Sequence, residues 1–408
     1  MSNVFDILQE RGFIEQSTYP EELRELLGKE SVTFYTGFDA TASSLTLGHL
    51  IPIMAMKHMQ MAGHKPIVLL GGATTMVGDP SGKTEMRRMM TQEEIQANAD
   101  AFKAQFSRFL DLDSGDVQVV NNLEWFRDMS FLEFVRNIGR HFSVNRMLAA
   151  ECYKSRLDTG LTFLEFSYML MQSYDFLELY RRYNCRLQMG GNDQWSNILG
   201  GYELVRREEG ASVYALTVKL LTTSTGKKMG KTEAGTVWLD PERTSPYDFY
   251  QYLRNVDDQD VENCLALLTF LPMDEVRRLG SLKDAEINKA KEILAYEVTK
   301  LVHGEEEANK AQAAARALFG GAGSSEHMPS TAFPESRFAE GVDILTVLTE
   351  AGLVSSRSEG RRLIQQGGVH LADERVEDME RVVTLADFTD GELILRKGKK
   401  TYHKIVIQ

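Results

Sequence analysis

A buried strand that turns abruptly into a long helix is the feature that most restricts this chain. It occupies residues 31–63, SVTFYTGFDATASSLTLGHLIPIMAMKHMQMAG. Val32 to Phe38 is rich in β-branched and aromatic side chains, as a buried strand requires. Gly37 permits a sharp exit, and Asp39, Thr41, Ser43 and Ser44 make a polar turn that supplies helix N-caps. A helix is expected to begin near Leu47, with Gly48 and His49 in its first turn. The free N–H groups and positive dipole end of such a helix suit a phosphate lying above the strand. An ordinary ligand-free strand–helix connection has the same local signature, so this stretch alone leaves binding open.

The rest of the first half repeats the alternation. Residues 1–30 read as helical, with Phe5, Leu8, Phe13 and Ile14, then Leu23, Leu26 and Leu27, interrupted at Pro20. Lys65 to Leu70 is a continuous apolar run, the pattern of a parallel strand covered on both faces. The following segment, Gly78 to Thr84, resembles a P-loop but fails its spacing: Val77 stands where the first glycine belongs. Its cations Lys83, Arg87 and Arg88 fit a solvated loop or one that approaches a nucleotide. A helix is expected from about Glu93 to Phe109, a strand near Val117–Asn121, and helical stretches from Phe131 to Arg156. Strands alternating with helices predict an α/β fold with an open, Rossmann-type parallel sheet.

Three later segments carry polar groups that demand partners. Leu161 to Tyr180 is apolar almost all round, yet Tyr168, Gln172 and Asp175 share one helical face. Such a buried stripe is satisfied either by other side chains or by a ligand polar at both ends, and spacing does not choose between them. Arg186 to Met189 reads as a short strand, followed by the loop Gly190-Gly191-Asn192-Asp193-Gln194 and a helix from Trp195. That is a second ligand edge or a plain turn; in the first case Asp193 is placed to accept ribose hydroxyls. A strand from Val213 to Leu221 runs into TTSTGKKMGKTEAG, where Lys227, Lys228 and Lys231 alternate with glycines. A loop of this kind is either simply exposed or, against a nucleotide, clamps a leaving polyphosphate.

The second half is organised differently. Tyr247 to Phe319 reads as helical, residues 320–341 as a linker rich in glycine, serine and proline, and 342–408 as a separate α+β module. Arg357, Arg361 and Arg362, then Arg396, Lys397, Lys399 and Lys400, cluster in that module, an RNA-backbone contact or two solvated edges. The whole chain carries a net charge of −13, which argues against a general nucleic-acid coat but not against local basic patches. The 3 cysteines are far apart, which excludes a disulfide framework and suggests a reducing compartment. No apolar run is long enough to span a membrane, no export signal is read at the N-terminus, and the histidines show no metal-ligand spacing.

Taken together, YTGFDATASSLTLGH, GGATTMVGDPSGKT, FLEFSYMLMQSYDFL, LQMGGNDQWSN and KKMGKT, in this order, resemble the bacterial tyrosyl-tRNA synthetases of class I over essentially the whole chain. The resemblance implies a Rossmann-type catalytic domain over 1–245, an α-helical anticodon-side domain over 246–319, the 320–341 linker and an RNA-binding module over 342–408. It implies a tyrosine–tRNA ligase: tyrosine's carboxylate attacks the α-phosphate of ATP, pyrophosphate leaves, and the tyrosyl group passes to the 3′ end of tRNA(Tyr). No protein nucleophile is needed, in keeping with the lack of a convincing nucleophile–base pair in the sequence.

Site roles follow from the same resemblance. Tyr35 and Asp175 match the residues at the substrate's phenolic hydroxyl; Asp79, Tyr168 and Gln172 match those at its ammonium group. A site built to bond a hydroxyl rejects phenylalanine, a rule for which tyrosyl enzymes are themselves the standing example. Asp193 and Gln194 match residues near the ribose and the activated carboxyl, and Gly37, Asp39 and Gly191 fall in the nucleotide-binding set. Gly48 and His49 end the H-I-G-H motif, with Thr46 in place of its first histidine and Thr41 in the partner position. Lys228 and Lys231 match the lysines of the K-M-S-K-S loop, Gly230 and Thr232 its two serines, and Lys83 and Arg87 match mobile-loop cations. Thr36 is expected to face the ribose. ATP is implied as substrate, with Mg2+ carried on it and no dedicated protein metal site. A cytoplasmic homodimer is implied, with Phe131 to Met147 at its interface. A tryptophanyl enzyme is the nearest alternative, opposed by Tyr35 and Asp175; a catalytically dead RNA-binding relative is the other, with Thr46 as its symptom.

Overall fold

The structure, a computed structural model, describes residues 3–81, 88–232, 235–319, 329–339, 341–372, 374–398 and 401–408. Two compact units divide the chain: Met1–Thr244 with Tyr252–Gly304, and Ser245–Gln251 with Glu305–Gln408.

The first unit is built on a six-stranded sheet of β1 (Ile14–Ser17), β2 (Thr33–Phe38), β3 (Lys65–Leu70), β4 (Gln118–Asn121), β5 (Cys185–Gly191) and β6 (Tyr214–Val218). Their order is β1-β6-β5-β2-β3-β4. All neighbours are parallel except β1, which lies antiparallel to β6. The chain leaves β2 toward β3 and β4, then returns to the other side of β2 with β5 and β6. The switch of direction therefore falls between β2 and β5, and in open α/β sheets a crevice opens at the carboxyl ends of such strands. A short hairpin of β7 (Lys231–Thr232) and β8 (Gly235–Thr236) follows.

The expected strands and the helix after the first turn are present; that helix runs from Leu50 to Met61 behind a single 3-10 turn, Leu47–His49. The N-terminal reading needs correction. Helices Val4–Glu10 and Pro20–Lys29 flank a strand, and Ile14, read as part of a helical face, pairs with Val218. Only the open edge of β6, two hundred residues away, makes that segment extended. The Phe163–Tyr183 helix lies against Trp195–Glu209. Gly200 allows the approach: a Cβ there would stand 2.5 Å from Ser173 Oγ.

The 247–319 stretch is helical as expected, divided into Pro246–Arg254, Val261–Leu268, Met273–Gly280, Ile287–His303 and Glu305–Phe319. Residues 320–328 of the expected linker lie outside the described residues, but Ser330–Phe333 is a strand, β9. The second unit continues with β10 (Val342–Asp343), β11 (Val369–Leu371), β12 (Glu374–Arg375), β13 (Val382–Val383), β14 (Glu392–Lys397) and β15 (Thr401–Ile407). Its main sheet runs β12-β11-β14-β15-β9. Helices Ile344–Glu350 and Arg357–Gln365 close one face over a core of Ile344, Leu348, Ile364, Val369, Leu395 and Ile405.

Candidate active site

The crevice at the β2/β5 switch is a cavity of about 500 Å³. It is lined by Tyr35, Gly37 and Asp39 from β2 and its exit, by Thr41, Thr46, Gly48 and His49 from the turn, and by Asp79 from beyond β3. Tyr168, Gln172 and Asp175 enter from their helix, Gly191, Asp193 and Gln194 from the end of β5, and Lys228 and Lys231 from the glycine loop. The expected site residues thus come together, apart from three. Lys83 and Arg87 lie outside the described residues, as does the side chain of Thr232.

One end of the cavity is buried and acidic. Asp175 is 2% exposed and accepts hydrogen bonds from Trp125 Nε1 at 2.9 Å and Asn122 Nδ2 at 3.1 Å. Burial lifts its carboxyl to about 7 against the pull of those two donors, and the charges of Asp39 and Glu178 add to the rise. Tyr35 is 1% exposed, and its hydroxyl is buried without a hydrogen-bond partner. Burial first, and then the Asp175 carboxylate, hold the phenol well above its ordinary pKa, so it stays a donor. Thr36 Oγ1 and Gln188 Oε1 are buried and unpartnered in the same lining. Orphaned buried polar atoms are costly, and three of them around one cavity fit a polar ligand.

The middle of the cavity is a network of amides and carboxylates. Tyr168 Oη donates to Asp39 Oδ2 at 2.9 Å, and Thr74 Oγ1 to Asp39 Oδ1 at 2.8 Å. Gln194 Nε2 donates to Asp79 Oδ2 at 2.7 Å, while Ser81 N and Asn197 Nδ2 reach Asp79 Oδ1. The stripe on the Phe163–Tyr183 helix is therefore satisfied by protein side chains at Tyr168 and Asp175, and it still faces the cavity.

The other end is cationic and held by backbone. Thr46 forms a β-bridge with Trp238, Leu47 N donates to Val237 O at 3.0 Å and Leu239 N to Leu45 O at 2.9 Å. His49 Nδ1 accepts from Thr46 N at 2.9 Å. In the lysine loop Met229 is buried, and Gly230 sits at φ +80° with Leu47 3.1 Å from where a Cβ would stand. Only glycine combines that backbone angle with that contact. Gly230 N donates to Tyr252 Oη at 2.7 Å. The flanking Lys228 and Lys231 are left at the cavity rim, Lys228 Nζ 3.6 Å from Asp193 Oδ2.

The chain that builds this cavity is similar to known proteins. Residues 28–320 match the model of the class I tRNA synthetases (W and Y), and residues 322–405 that of the tyrosine–tRNA ligase SYY-like C-terminal domain. A tyrosine–tRNA ligase of Lachnoclostridium phytofermentans is 61% identical over 98% of both chains. One of Caldanaerobacter subterraneus subsp. tengcongensis is 60% identical over 100% of both. The chain belongs to the bacterial tyrosyl-tRNA synthetases. Membership of that family makes it an ATP-using tyrosine–tRNA ligase. Among solved structures, a C-terminally truncated mitochondrial tyrosyl-tRNA synthetase of Aspergillus nidulans aligns with TM-score 0.70 and 29% identity, over 78% of this chain and 95% of that one.

Sequence reasoning missed several residues that this tyrosyl-tRNA synthetase places in the cavity lining or directly behind it. Asn122 and Trp125 follow the carboxyl end of β4, where polar residues at a parallel sheet's ligand edge are the available signal. Ser81 and Asn197 complete the Asp79 network, Trp238 bridges Thr46 in the first turn, and Tyr252 holds the lysine loop at Gly230. Except for Ser81, which lies two residues from Asp79, these depend on chain returns that no local pattern marks.

Proposed function

We propose that the cavity binds L-tyrosine with its ring toward Tyr35 and Asp175 and activates it with ATP bound toward the cationic end. Asp175 accepts the substrate's phenolic proton in a hydrogen bond and the Tyr35 hydroxyl donates to the phenolic oxygen. Asp79, Tyr168 and Gln172 hold the ammonium group, and Gln194 the carboxyl. Gly37, Asp39, Gly48, His49, Gly191 and Asp193 hold the nucleotide. The carboxylate oxygen attacks the α-phosphorus in line, the bond to the bridging oxygen breaks, and pyrophosphate leaves with the electron pair. Thr41, Thr46, Lys228, Lys231 and Thr232, with Lys83 and Arg87, neutralise the charge that builds on that leaving group; the chemistry is positioning and electrostatics. A ribose hydroxyl at the 3′ end of the tRNA then attacks the tyrosyl carbonyl, the bond to the phosphate oxygen breaks, and AMP leaves.

Mg2+ enters on the ATP in this reading. Among the described residues, no three His, Cys, Asp or Glu side chains converge to hold a metal.

The observation that carries the proposal is the unpartnered Tyr35 hydroxyl next to a buried Asp175 at the closed end of the cavity. A phenol satisfies both groups, and an indole or a bare phenyl ring does not. Tyrosine-dependent exchange of labelled pyrophosphate into ATP tests it. Exchange is expected with tyrosine and not with phenylalanine or tryptophan. No exchange by a protein that still binds tRNA would leave an inactive RNA-binding relative and show that Thr46 does not replace the motif histidine.

The working form is proposed to be a cytoplasmic homodimer. Phe131 and Leu132 are 66% and 78% exposed, and Val135, Val144 and Leu148 are exposed on the same stretch of chain. Apolar side chains so concentrated favour a self-complementary interface. All 3 cysteines are free and buried, which suits a reducing compartment. Sedimentation equilibrium should give a dimer for the full chain and a monomer for Leu132→Glu; a monomeric parent chain would rule the interface out.

A further inference from the structure

A buried acid with a single partner stands beside the lysine loop. Asp260 is 5% exposed, accepts one hydrogen bond, from Ser224 N to Oδ1 at 2.7 Å, and leaves Oδ2 buried without a partner among the described residues. An acid so placed is costly, and packing alone does not call for one: a neutral amide would accept the same bond at less cost. What the carboxylate adds is strength, since a backbone N–H bonds a carboxylate roughly twice as well as a neutral acceptor.

That bond reaches the tip of a small hairpin closed on itself. Met229 N donates to Leu221 O, Thr223 N to Lys227 O and Gly226 N to Thr223 O, each at 2.8 Å, and Thr222 bridges Lys228. These contacts join the two arms but do not tie the hairpin to its surroundings. At the base, buried Met229 lies with its Sδ 3.8 Å from Cys264 Sγ, and Gly230 N is bonded to Tyr252. At the tip, residues 223–227 bond to another segment, among the described residues, only through Ser224 N. Tyr252, Asp260 and Cys264 all come from the helical stretch that follows Thr244, within the same compact unit as the cavity.

Lys228 lies on the arm that returns from that tip, its Nζ at the cavity rim 3.6 Å from Asp193 Oδ2. A hairpin pinned at its base alone pivots there, and a displaced tip carries Lys228 with it. Charge stabilisation depends on groups held where the charge develops, and a shift of about 1 Å in such a group costs on the order of 100-fold.

We propose that Asp260 is a positioning residue for the pyrophosphate-releasing step: it pins the hairpin tip through Ser224 N and so keeps Lys228 aimed at the departing polyphosphate. It touches neither the substrates nor the reacting atoms. The proposal rests on the assignment of Lys228 to the leaving group.

The test removes the bond from each side in the full-length protein. Asp260→Ala deletes the acceptor. Ser224→Pro deletes the donor at an exposed site, and Ser224 is the second residue of the Thr223–Gly226 turn, a position that favours proline. Each variant is expected to slow single-turnover adenylate formation roughly tenfold, while equilibrium dialysis gives an unchanged Kd for tyrosine. Transfer of tyrosine from preformed adenylate to tRNA should keep its rate, because pyrophosphate has already left. Asp258→Asn, at an acid that pairs with Lys291 instead, should match the parent in all three. Added to Lys228→Ala, Ser224→Pro should cost little beyond Lys228→Ala itself, since the group being aimed is already gone. A full tenfold loss on that background, a parallel fall in tyrosine affinity, or parent-like adenylate formation by Ser224→Pro would overturn the proposal. Lys228→Ala alone separates the two ways of failing. A parent-like rate refutes the lysine's role and the anchor with it, whereas a slow Lys228→Ala beside a fast Ser224→Pro refutes the anchor alone.

Discussion

Asp175→Asn should reduce kcat/KM for tyrosine by on the order of 10²–10³-fold, through loss of a charge-assisted hydrogen bond and the orphaning of one buried donor. The carboxylate accepts from Trp125 and Asn122 and retains lone pairs for the substrate phenol. An amide has one acceptor oxygen, and its NH2 group would confront a donor. Phenylalanine makes no hydrogen bond there, so its much poorer use should change less and the gap between the two substrates should narrow. ATP affinity should be unaffected. The same variant carries a signature in stability. The folded carboxyl titrates near 7, far above its unfolded value, so the folded state holds a proton that the unfolded state releases between those two values. Stability of the empty protein should therefore decline as pH rises across that window, and the asparagine variant should lose the decline. Steady-state kinetics with both amino acids, with urea melts at pH 5 and pH 8, measure both effects. Unchanged selectivity would count against the phenol contact whatever the melts show.

Lys231→Ala has the second large effect, a loss of roughly 10²-fold in the rate of adenylate formation with tyrosine affinity nearly unchanged. Lys231 lies at the rim of the cavity in a loop fixed by buried Met229 and by the Gly230–Tyr252 hydrogen bond. The backbone anchor does not involve its side chain, so truncation removes a charge without releasing the loop. A cation that acts on departing pyrophosphate contributes mainly in the transition state, which separates kcat from binding. Single-turnover adenylate formation and equilibrium dialysis with tyrosine give the two numbers. A parallel fall in both would show that Lys231 serves the ground state or the fold.

The parts of this molecule legible in its sequence are those set by short-range pattern. The apolar run at Lys65–Leu70, the strand-to-turn passage at Gly37–Asp39 and the helix carrying Tyr168, Gln172 and Asp175 are written in consecutive residues, and the structure has them. Ile14 could not be read that way, because its extended conformation comes from pairing with Val218. Ser330–Phe333 failed for the same reason: flanking prolines and glycines mark a linker, but pairing with β15 makes a strand. In the site, residues with a family motif were found, and those that support them were not. Asn122 and Trp125 resemble any polar and aromatic residues after a strand until Asp175 is seen between them.

The β-bridge between Thr46 and Trp238 has a consequence for the order in which the enzyme becomes competent. The turn that carries Thr46, Gly48 and His49 is completed by backbone hydrogen bonds to a segment made nearly two hundred residues later, and β1 waits for β6 in the same way. Contacts so distant along the chain close late, since the entropy of the intervening loop must be overcome before they form. On the ribosome, an emerging chain can lay down β2, β3 and the Phe163–Tyr183 helix while its first strand and the turn at Thr46 are still unsecured. A nascent chain that ends before Val237 therefore leaves the turn carrying Thr46 without its backbone partners.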